Sequence, residues 1–225
     1  LGDVVHGPDG LYMFYVGFQQ VARAKFLAFT GLAVSTDGGD TFQRRQDTPL
    51  LDRAPGRSTI AAVHSARYED GRWRLWYAVG DDWEHIDDTP FPRYHIRYAE
   101  TDDLQAIPRQ DTLCLQPQGS EYRIGRPRVY RHQGGYLMYF TRGNVGGAYF
   151  PGVARSADGR HWQRCDDAFG LELSPGGWDA RTLCYPALIR HRDRVLMFYN
   201  GNDMGRDGFG VAVAPLAQGA GEGSG

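Results

Sequence analysis

The sequence has few cysteines and no pattern of metal ligands. Its 225 residues include three cysteines, Cys114, Cys165 and Cys184, and none stands in a CxxC pair. An odd number of scattered cysteines argues against a disulfide framework or a zinc site and is typical of a reducing compartment. We therefore expect a cytoplasmic protein with no cofactor and no metal ion. A calcium site made of Asp and Asn side chains stays open as an alternative.

Long apolar runs and an excess of basic charge are also missing. No apolar run reaches 18 residues, so the sequence predicts no membrane-spanning helix. The formal net charge is −2, and the arginines are scattered among acidic residues, which argues against nucleic-acid binding. The sequence begins at Leu1 without Met, so a signal peptide would lie outside it. Nothing in the pattern predicts an oligomeric state.

Helical periodicity is almost absent, whereas a strand pattern repeats four times. An aromatic pair occurs at Phe14-Tyr15 and recurs as Trp76-Tyr77, Tyr139-Phe140 and Phe198-Tyr199. The second residues of these pairs are 62, 63 and 59 residues apart. Short strands bounded by Gly and Asp, repeated at such a period, are typical of a β-propeller, in which each blade covers the apolar face of its neighbour.

The repeats predict an all-β propeller with four visible blades, at about 1–50, 57–110, 119–168 and 177–216. The Gly-rich tail 217–225 is predicted to be flexible. Four repeats nearly exhaust the chain and the last lacks an outer strand. We interpret the chain as part of a five-bladed propeller, with a four-bladed ring as the alternative.

Blade geometry places the long connections at one end of the propeller. These are residues 18–30, 80–93, 142–151 and 201–208, together with the lead-in segments 57–61, 119–126 and 176–185 before the first strand of a blade. We call this the loop end. Function concentrates in long loops on a rigid scaffold, so the site is expected here, over the central channel.

Several motifs resemble a known group of enzymes. They are Gly125–Arg128, Met138–Arg142, Gly177–Asp179, Tyr185-Pro186, Tyr199–Asn202 and Gly208–Gly210. They are similar to the five-bladed propeller clan of glycoside hydrolase families 43, 32 and 68 and the family 130 phosphorylases. Within it, they look most like an uncharacterised branch often encoded near surface-polysaccharide genes. The resemblance implies a carbohydrate site at the centre, with carboxylates on the first strands of different blades.

Two further segments resemble the Asp-box of sialidase-like propellers. Ser35–Phe42 follows the pattern S-x-D-x-G-x-T-F, and Ser156–Trp162 is a shorter version. The Asp carboxylate can accept backbone N–H groups within such a turn. We therefore predict a structural role for both. The Asp-box and the arginines leave a sialidase-like enzyme as one alternative, which would need three arginines converging on one carboxylate.

Three acids are candidates for catalysis. Glu121 and Asp179 lie in the lead-in segments of the third and fourth blades, and Asp3 lies in the first strand of the first blade. If Glu121 and Asp179 flank a glycosidic bond, one can act as general acid and the other as base or nucleophile. The alternatives are a solvated loop acid for Glu121 and a turn-forming residue for Asp179. The Arg-Asp-Pro signature of the clan is replaced by Arg126-Pro127-Arg128, which argues against ordinary hydrolysis.

The candidates for substrate binding are Arg126, Arg142, His64, Tyr185, Asn200, Asn202 and Trp83. The two arginines suit a carboxylate or phosphate, and the alternative is an ion pair with Glu121 or Asp179. Amides suit sugar hydroxyls, although Asn-Gly is also a common turn sequence. Trp83 can stack on a sugar ring or cap a blade, and His64 can equally be a hydrogen-bonded core residue.

These residues predict a carbohydrate-active enzyme of the glycoside hydrolase or phosphorylase type, acting on a small-molecule or oligosaccharide ligand at the central funnel. A non-catalytic carbohydrate-binding propeller that serves polysaccharide assembly is the main alternative. An enzyme should have two carboxylates about 5–10 Å apart across the channel mouth.

Overall fold

The computed structural model describes residues 2–147 and 149–216, and β-strands dominate this part of the chain. They form four successive groups, each a blade. The first blade contains β1 (Asp3–Gly7), β2 (Gly10–Val21), β3 (Ala24–Ser35) and β4 (Gln43–Arg44), and the second contains β5 (Ile60–Glu69), β6 (Arg72–Ile86), β7 (Thr89–Thr101) and β8 (Thr112–Leu115). The third contains β9 (Glu121–His132), β10 (Gly135–Asn144), β11 (Tyr149–Ser156) and β12 (Gln163–Arg164), and the fourth contains β13 (Cys184–His191), β14 (Arg194–Asn200) and β15 (Phe209–Pro215). The predicted tail 217–225 lies outside the described residues.

Helical structure is confined to short turns. Two 3₁₀ turns occupy Leu104–Ala106 and Asp166–Phe169, and a single turn, α1, occupies Asn202–Gly205. In the described part of the chain, no helix has both the length and the apolar character needed to cross a membrane. The fold class is therefore all-β, as the repeats predict.

The chain divides into two compact units, residues 1–127 and 128–225. In the first unit the strand order is β1-β2-β3-β5-β6-β7-β9, with β4 paired to β3 and β8 to β7. The second unit contains the rest of β9 with β10-β11-β12, and the three-stranded sheet β13-β14-β15. Whether a fifth blade completes the propeller stays a prediction.

Tight turns join the first and second strands of the blades where the sequence predicts them. Asp70 and Gly71 have φ values of 54° and 76°, and Gln133 and Gly134 have 48° and 79°. Two successive residues with positive φ match the right-handed twist of a two-residue hairpin. Arg192, with φ 55°, makes the corresponding turn of the fourth blade. Each turn fixes the register of the strands beside it.

Three connections predicted as loops consist largely of strand residues: 18–30, 80–93 and 142–151, the last through the ends of β10 and β11. Residues 18–30 and 80–93 continue the β2–β3 and β6–β7 hairpins far beyond the aromatic pairs. Pairing reaches Val21–Ala24 in the first hairpin and Ile86–Thr89 in the second. Asp87 has φ 48° and Asp88 has φ 60°, so this acidic dipeptide closes the second hairpin. Near the tips both faces of these strands are exposed to solvent, so their side chains are mostly polar and lack the alternation that predicts a strand.

The core of each unit is built from the aromatic pairs. In the first unit Phe14 and Trp76 are fully buried, and the Tyr12 ring lies 4.7 Å from that of Trp73. In the second unit a cluster of buried residues joins the third and fourth blades: Tyr139, Val153, Phe169, Leu183 and Tyr199. Burying a large apolar side chain contributes about 1.5–3 kcal/mol, so these rings dominate the stability of the blades.

Glycine usually faces the second member of the aromatic pair across the sheet. The partners are Tyr15–Gly31, Phe140–Gly152 and Tyr199–Gly210. A Cβ at Gly31 or Gly152 would lie 2.3 Å from the facing ring. The second blade departs from this pattern, because Tyr77 faces Arg97.

The Asp37 turn makes the hydrogen bonds expected of a structural turn. Its carboxylate accepts hydrogen bonds from the Ser35 hydroxyl at 2.6 Å and from the Thr41 backbone N–H at 3.0 Å. The Ser35 and Thr41 hydrogen bonds hold the pKa of the Asp37 carboxyl well below its usual range. In the second such turn, Asp158 accepts a hydrogen bond from the His161 backbone N–H at 2.9 Å. The assignment of these turns as Asp-boxes stays a prediction.

Candidate functional site

Asp179 is a buried carboxylate at the loop end of the fourth blade. Its side chain is 5% exposed, and its Oδ2 accepts a hydrogen bond from the Tyr199 hydroxyl at 3.2 Å. Burial, this hydrogen bond and the negative charge of Asp179 all raise the pKa of Tyr199, so the phenol remains a donor. The Trp178 ring stacks on Tyr199, with centroids 5.5 Å apart and planes 21° apart. The acid is therefore held by a rigid aromatic support.

Asn202 fixes the segment that carries Asp179. Its side chain is 2% exposed, and its Oδ1 accepts hydrogen bonds from the backbone N–H groups of Arg181 at 2.8 Å and Thr182 at 3.2 Å. Its Nδ2 donates to the Gly177 carbonyl at 2.9 Å. Its own N–H donates to the Trp178 carbonyl at 2.7 Å. This geometry favours a positioning role for Asn202.

Two glycines make room for Trp178. A Cβ at Gly201 or Gly210 would lie 2.5 Å from an indole carbon, whereas one at Gly208 would be in ordinary van der Waals contact at 3.7 Å. A larger residue at Gly201 or Gly210 would therefore displace the ring that supports Tyr199.

The loop between β14 and β15 has an unusual backbone. Asp203 and Met204 have φ values of 53° and 61°, and Gly205 has 91°. Asn200 supports this turn by donating from Nδ2 to the Met204 carbonyl at 2.9 Å. The Asp203 carboxylate lies 2.7 Å from an Arg206 Nη2. Left-handed non-glycine residues cost about 1–3 kcal/mol each and tend to cluster at functional sites.

Irregular backbone recurs in the first strands at the predicted binding residues. Arg126 and Tyr185 have φ values of 52° and 58°, and a proline follows each of them. The β13–β14 register shifts around Tyr185, and the β5–β6 register shifts around His64. A β-bulge redirects the side chain that it contains. The Tyr185 N–H donates to the Thr141 hydroxyl at 2.9 Å.

Arg142 has partners that the sequence did not reveal. Its Nε donates to the Pro151 carbonyl at 3.2 Å, and its Nη1 lies 3.4 Å from an oxygen of Asp166. Asp166 also binds Arg164 and accepts from the Val153 N–H. The predicted ion pairs of Arg142 with Glu121 or Asp179 stay a prediction.

The other two candidate acids lie in the first unit. The Oε2 of Glu121 accepts a hydrogen bond from the Gln118 N–H at 2.9 Å and so closes its own turn. The Oδ2 of Asp3 accepts from the Ala66 N–H at 3.0 Å, which ties β1 to β5. Asp179 lies in the second unit. The predicted placement of Glu121 and Asp179 on either side of one glycosidic bond therefore stays a prediction.

Comparison with known proteins gives a clear relative. The "Uncharacterized protein Rv1502" of Mycobacterium tuberculosis (strain ATCC 25618 / H37Rv) is 30% identical to the chain over 218 residues, which are 95% of the chain and 70% of the relative. The chain belongs to the family of this mycobacterial protein. The "Uncharacterized protein MT1551" of strain CDC 1551 / Oshkosh matches over the same 218 residues, also at 30% identity. No family model matches the chain.

Solved structures show the fold of this member of the Rv1502 family. A thermostable family-43 glycoside hydrolase superposes with a TM-score of 0.71 at 16% identity, over 94% of the chain and 69% of the hydrolase. The family-32 β-fructofuranosidase BmSUC1 of Bombyx mori gives 0.65 at 14%, over 95% and 46%. The β-1,2-mannobiose phosphorylase of Listeria innocua gives 0.58 at 16%, over 85% and 51%. This likeness confirms the predicted propeller fold.

Trp83 lies beside a cavity between the two long hairpins of the first unit. The cavity has a volume of about 350 Å³ and is lined mainly by apolar side chains, with Arg23 and His85 as its polar members. Trp83 itself is half-buried. Its predicted stacking on a sugar ring stays a prediction.

The second blade contains a polar cluster that the sequence analysis missed. The Tyr77 hydroxyl donates to Asp111, whose other carboxylate oxygen lies 2.5 Å from Arg97 Nε. His95 lies 3.4 Å from Arg97 Nη1. The sequence signal for this cluster is Arg97, which stands where the other three blades have a glycine. In the described residues, no group of three or more His, Cys, Asp and Glu side chains is arranged to hold a metal ion.

Proposed function

We propose that this chain is the site-bearing part of a carbohydrate-active enzyme of the glycoside hydrolase or phosphorylase type. The observation that carries the proposal is Asp179, a carboxylate that is 5% exposed and is held by Tyr199 at the loop end of its blade. Burying a carboxylate is costly unless it is hydrogen-bonded, and a buried acid held by a fixed partner is a candidate for a catalytic role. The shared fold with hydrolases and a phosphorylase supports this class of chemistry.

Asp179 would act as one of two acids. In glycosidases a general acid protonates the leaving oxygen while a second carboxylate acts as base or nucleophile. Glu121 is the proposed second acid, with Asp3 as the other candidate. Substrate would be bound at the loop end by His64, Arg126, Arg142, Tyr185 and Asn200, with Trp83 as a stacking surface. Asn202, whose amide is bonded to the backbone of the Asp179 segment, would act as a positioning residue.

The decisive experiment compares two substitutions in the full-length protein. Asp179→Asn removes the charge and keeps the shape, whereas Asp193→Asn, in the β13–β14 turn of the same blade, changes an exposed acid as a control. Both are assayed for sugar or sugar phosphate released from neutral and acidic oligosaccharides, with and without phosphate. Asp179→Asn is expected to lower turnover at least 100-fold, the usual contribution of a general acid, and Asp193→Asn to leave it within about twofold, an effect below 0.5 kcal/mol. Equal turnover in both variants would refute the catalytic role of Asp179.

A non-catalytic carbohydrate-binding propeller is the second candidate. It is favoured by Glu121, whose carboxylate accepts a hydrogen bond from its own turn and thus has a structural task already. Binding of an oligosaccharide without any product, unchanged in Glu121→Gln, would support this candidate. Product release that depends on Glu121 would exclude it.

A further inference from the structure

The lead-in segment of the second blade carries two unsatisfied polar atoms. Thr59 is 2% exposed, and its Oγ1 has no hydrogen-bond partner within residues 2–147 and 149–216. Arg57 Nε is likewise shielded from solvent and lacks a partner among these described residues. Buried polar groups are nearly always hydrogen-bonded, because an unpaired donor costs about 1–3 kcal/mol. Two such atoms within three residues therefore need an explanation.

The backbone of this segment is firmly held. The Arg57 N–H donates to the Ala54 carbonyl at 3.0 Å, and the Thr59 N–H donates to the Gly80 carbonyl at 3.0 Å. The Thr59 carbonyl in turn accepts from the Ala28 N–H at 3.2 Å. The side chains of Arg57 and Thr59 therefore project from a fixed scaffold, which is a requirement for a built site.

Arg57 is also a surplus cation. The only carboxylate in the polar cluster, Asp111, already accepts from Tyr77 and Arg97. The positive charge of Arg57 lowers the pKa of the Tyr77 hydroxyl, although burial and Asp111 raise it more. In the described part of the chain, no carboxylate forms an ion pair with Arg57. A guanidinium without a carboxylate partner can bind an anion from solution.

The position of Arg57 in the repeat also points to the loop end. Arg57 lies eight residues before Ser65, which pairs with Trp76. Asp179 lies eight residues before Ala187, which pairs with Phe198 in the same position of its blade. The two residues thus occupy equivalent places in different blades. An anion bound by Arg57 would therefore lie at the loop end, beside the lead-in segment of the second blade.

We propose that Arg57 and Thr59 form a binding site for an anionic group, either a carboxylate or a phosphate. The Nε edge of a guanidinium donates two parallel hydrogen bonds to such a group, and a threonine hydroxyl can add a third. The anion is free phosphate or the acidic group of a saccharide. The inference rests on the proposed function only for the second source.

The test measures anion binding directly by titration calorimetry of the full-length protein. The probes are inorganic phosphate and glucuronate, in a low-salt buffer, since ion pairs weaken with salt. Arg57→Gln is expected to weaken binding of the preferred probe at least tenfold. Arg53→Gln is the matched control, because Arg53 is an exposed arginine of the same linker that binds Gln19.

Thr59→Val separates binding from folding. Valine keeps the shape of threonine and removes a hydroxyl without a protein partner, so the melting temperature should not fall. Anion affinity should nevertheless drop severalfold. If Arg57→Gln fails to fold, the anion affinity of Thr59→Val alone tests the proposed site.

Each outcome has a defined meaning. Binding of phosphate alone supports the site with free phosphate as the source, and binding of glucuronate supports an acidic saccharide. Binding of neither probe at 20 mM, about the millimolar range of weak specific sites, overturns the proposal, as does wild-type affinity in either Arg57→Gln or Thr59→Val. The calorimetry measures binding and not turnover, so its result does not depend on the proposed catalysis. An Asp179→Asn variant that is inactive but still binds phosphate would show that the anion site and the catalytic role of Asp179 are independent.

Discussion

Replacing Gly152 with alanine tests whether the facing aromatic ring sets the blade structure. A Cβ at Gly152 would lie 2.3 Å from Phe140 Cζ, far inside van der Waals contact. The Phe140 ring is fully buried, and the Arg164 guanidinium lies 5.3 Å from its centroid. The ring therefore has little room to move away. The new methyl group must strain the β10–β11 pair.

The expected loss follows from this overpacking. An extra methyl group in a well-packed core costs about 1–3 kcal/mol. For a chain of this size each kcal/mol lowers the melting temperature by about 2–4 °C, so Gly152→Ala should melt about 2–12 °C below the wild type. Gly152 does not have a positive φ, so backbone strain adds nothing.

Gly146→Ala is the control, measured by differential scanning calorimetry. A Cβ at Gly146 meets no atom of the described residues within 4 Å, and its φ is not positive. Like Gly152→Ala, Gly146→Ala reduces the conformational entropy of the unfolded chain, but it creates no steric clash in the folded state. It should therefore be as stable as the wild type or slightly more stable. Phe140→Leu should recover part of the loss in the double variant, because it relieves the contact. If Gly152→Ala melts within about 1 °C of Gly146→Ala, the overpacking argument is wrong.

Three further predictions concern the polar groups. Tyr77→Phe should lower the free energy of unfolding in urea by about 1–2 kcal/mol, because Asp111 loses a donor, and no change would contradict this. Burial and the Arg97 charge, opposed by Asp111 and by Asp81, lower the pKa of His95 from 6.5. The unfolded state then binds the proton more tightly, so stability should fall as pH drops below 6.5, and His95→Gln should flatten that decline. Asn202→Asp should lower the melting temperature more at pH 8 than at pH 4, since a carboxylate cannot donate to the Gly177 carbonyl.

Local patterns predicted the blades well. The aromatic pairs locate β2, β6, β10 and β14, and turns that contain Gly or Asp precede them, because strand alternation and hairpin turns depend on a few neighbouring residues. The hairpin tips were missed for the same reason. Their polar composition is typical of loops, and only cross-strand pairing such as Val21–Ala24 shows that they are strands.

The candidate site was harder to predict because its contacts are distant in sequence. Asn202 was expected to bind sugar, yet its amide holds residues about twenty positions earlier. Asp111 binds a tyrosine 34 residues away, and no local motif marks it. Asp179 was chosen as a candidate because Gly177–Asp179 forms part of a motif, whereas its hydrogen bond from Tyr199 depends on the folded blade.

The parallel pairs between blades have a consequence for how the first unit opens. Ala28 pairs with Ile60, and Tyr94 pairs with Arg123, so one ladder of backbone hydrogen bonds runs from β1 to the start of β9. Separating one blade therefore breaks bonds that belong to its neighbour. Amide protons of β3, β5 and β7 should exchange with solvent through a shared opening, with similar protection, rather than blade by blade. The joined sheets would make the first unit a single cooperative block beneath its two projecting hairpins.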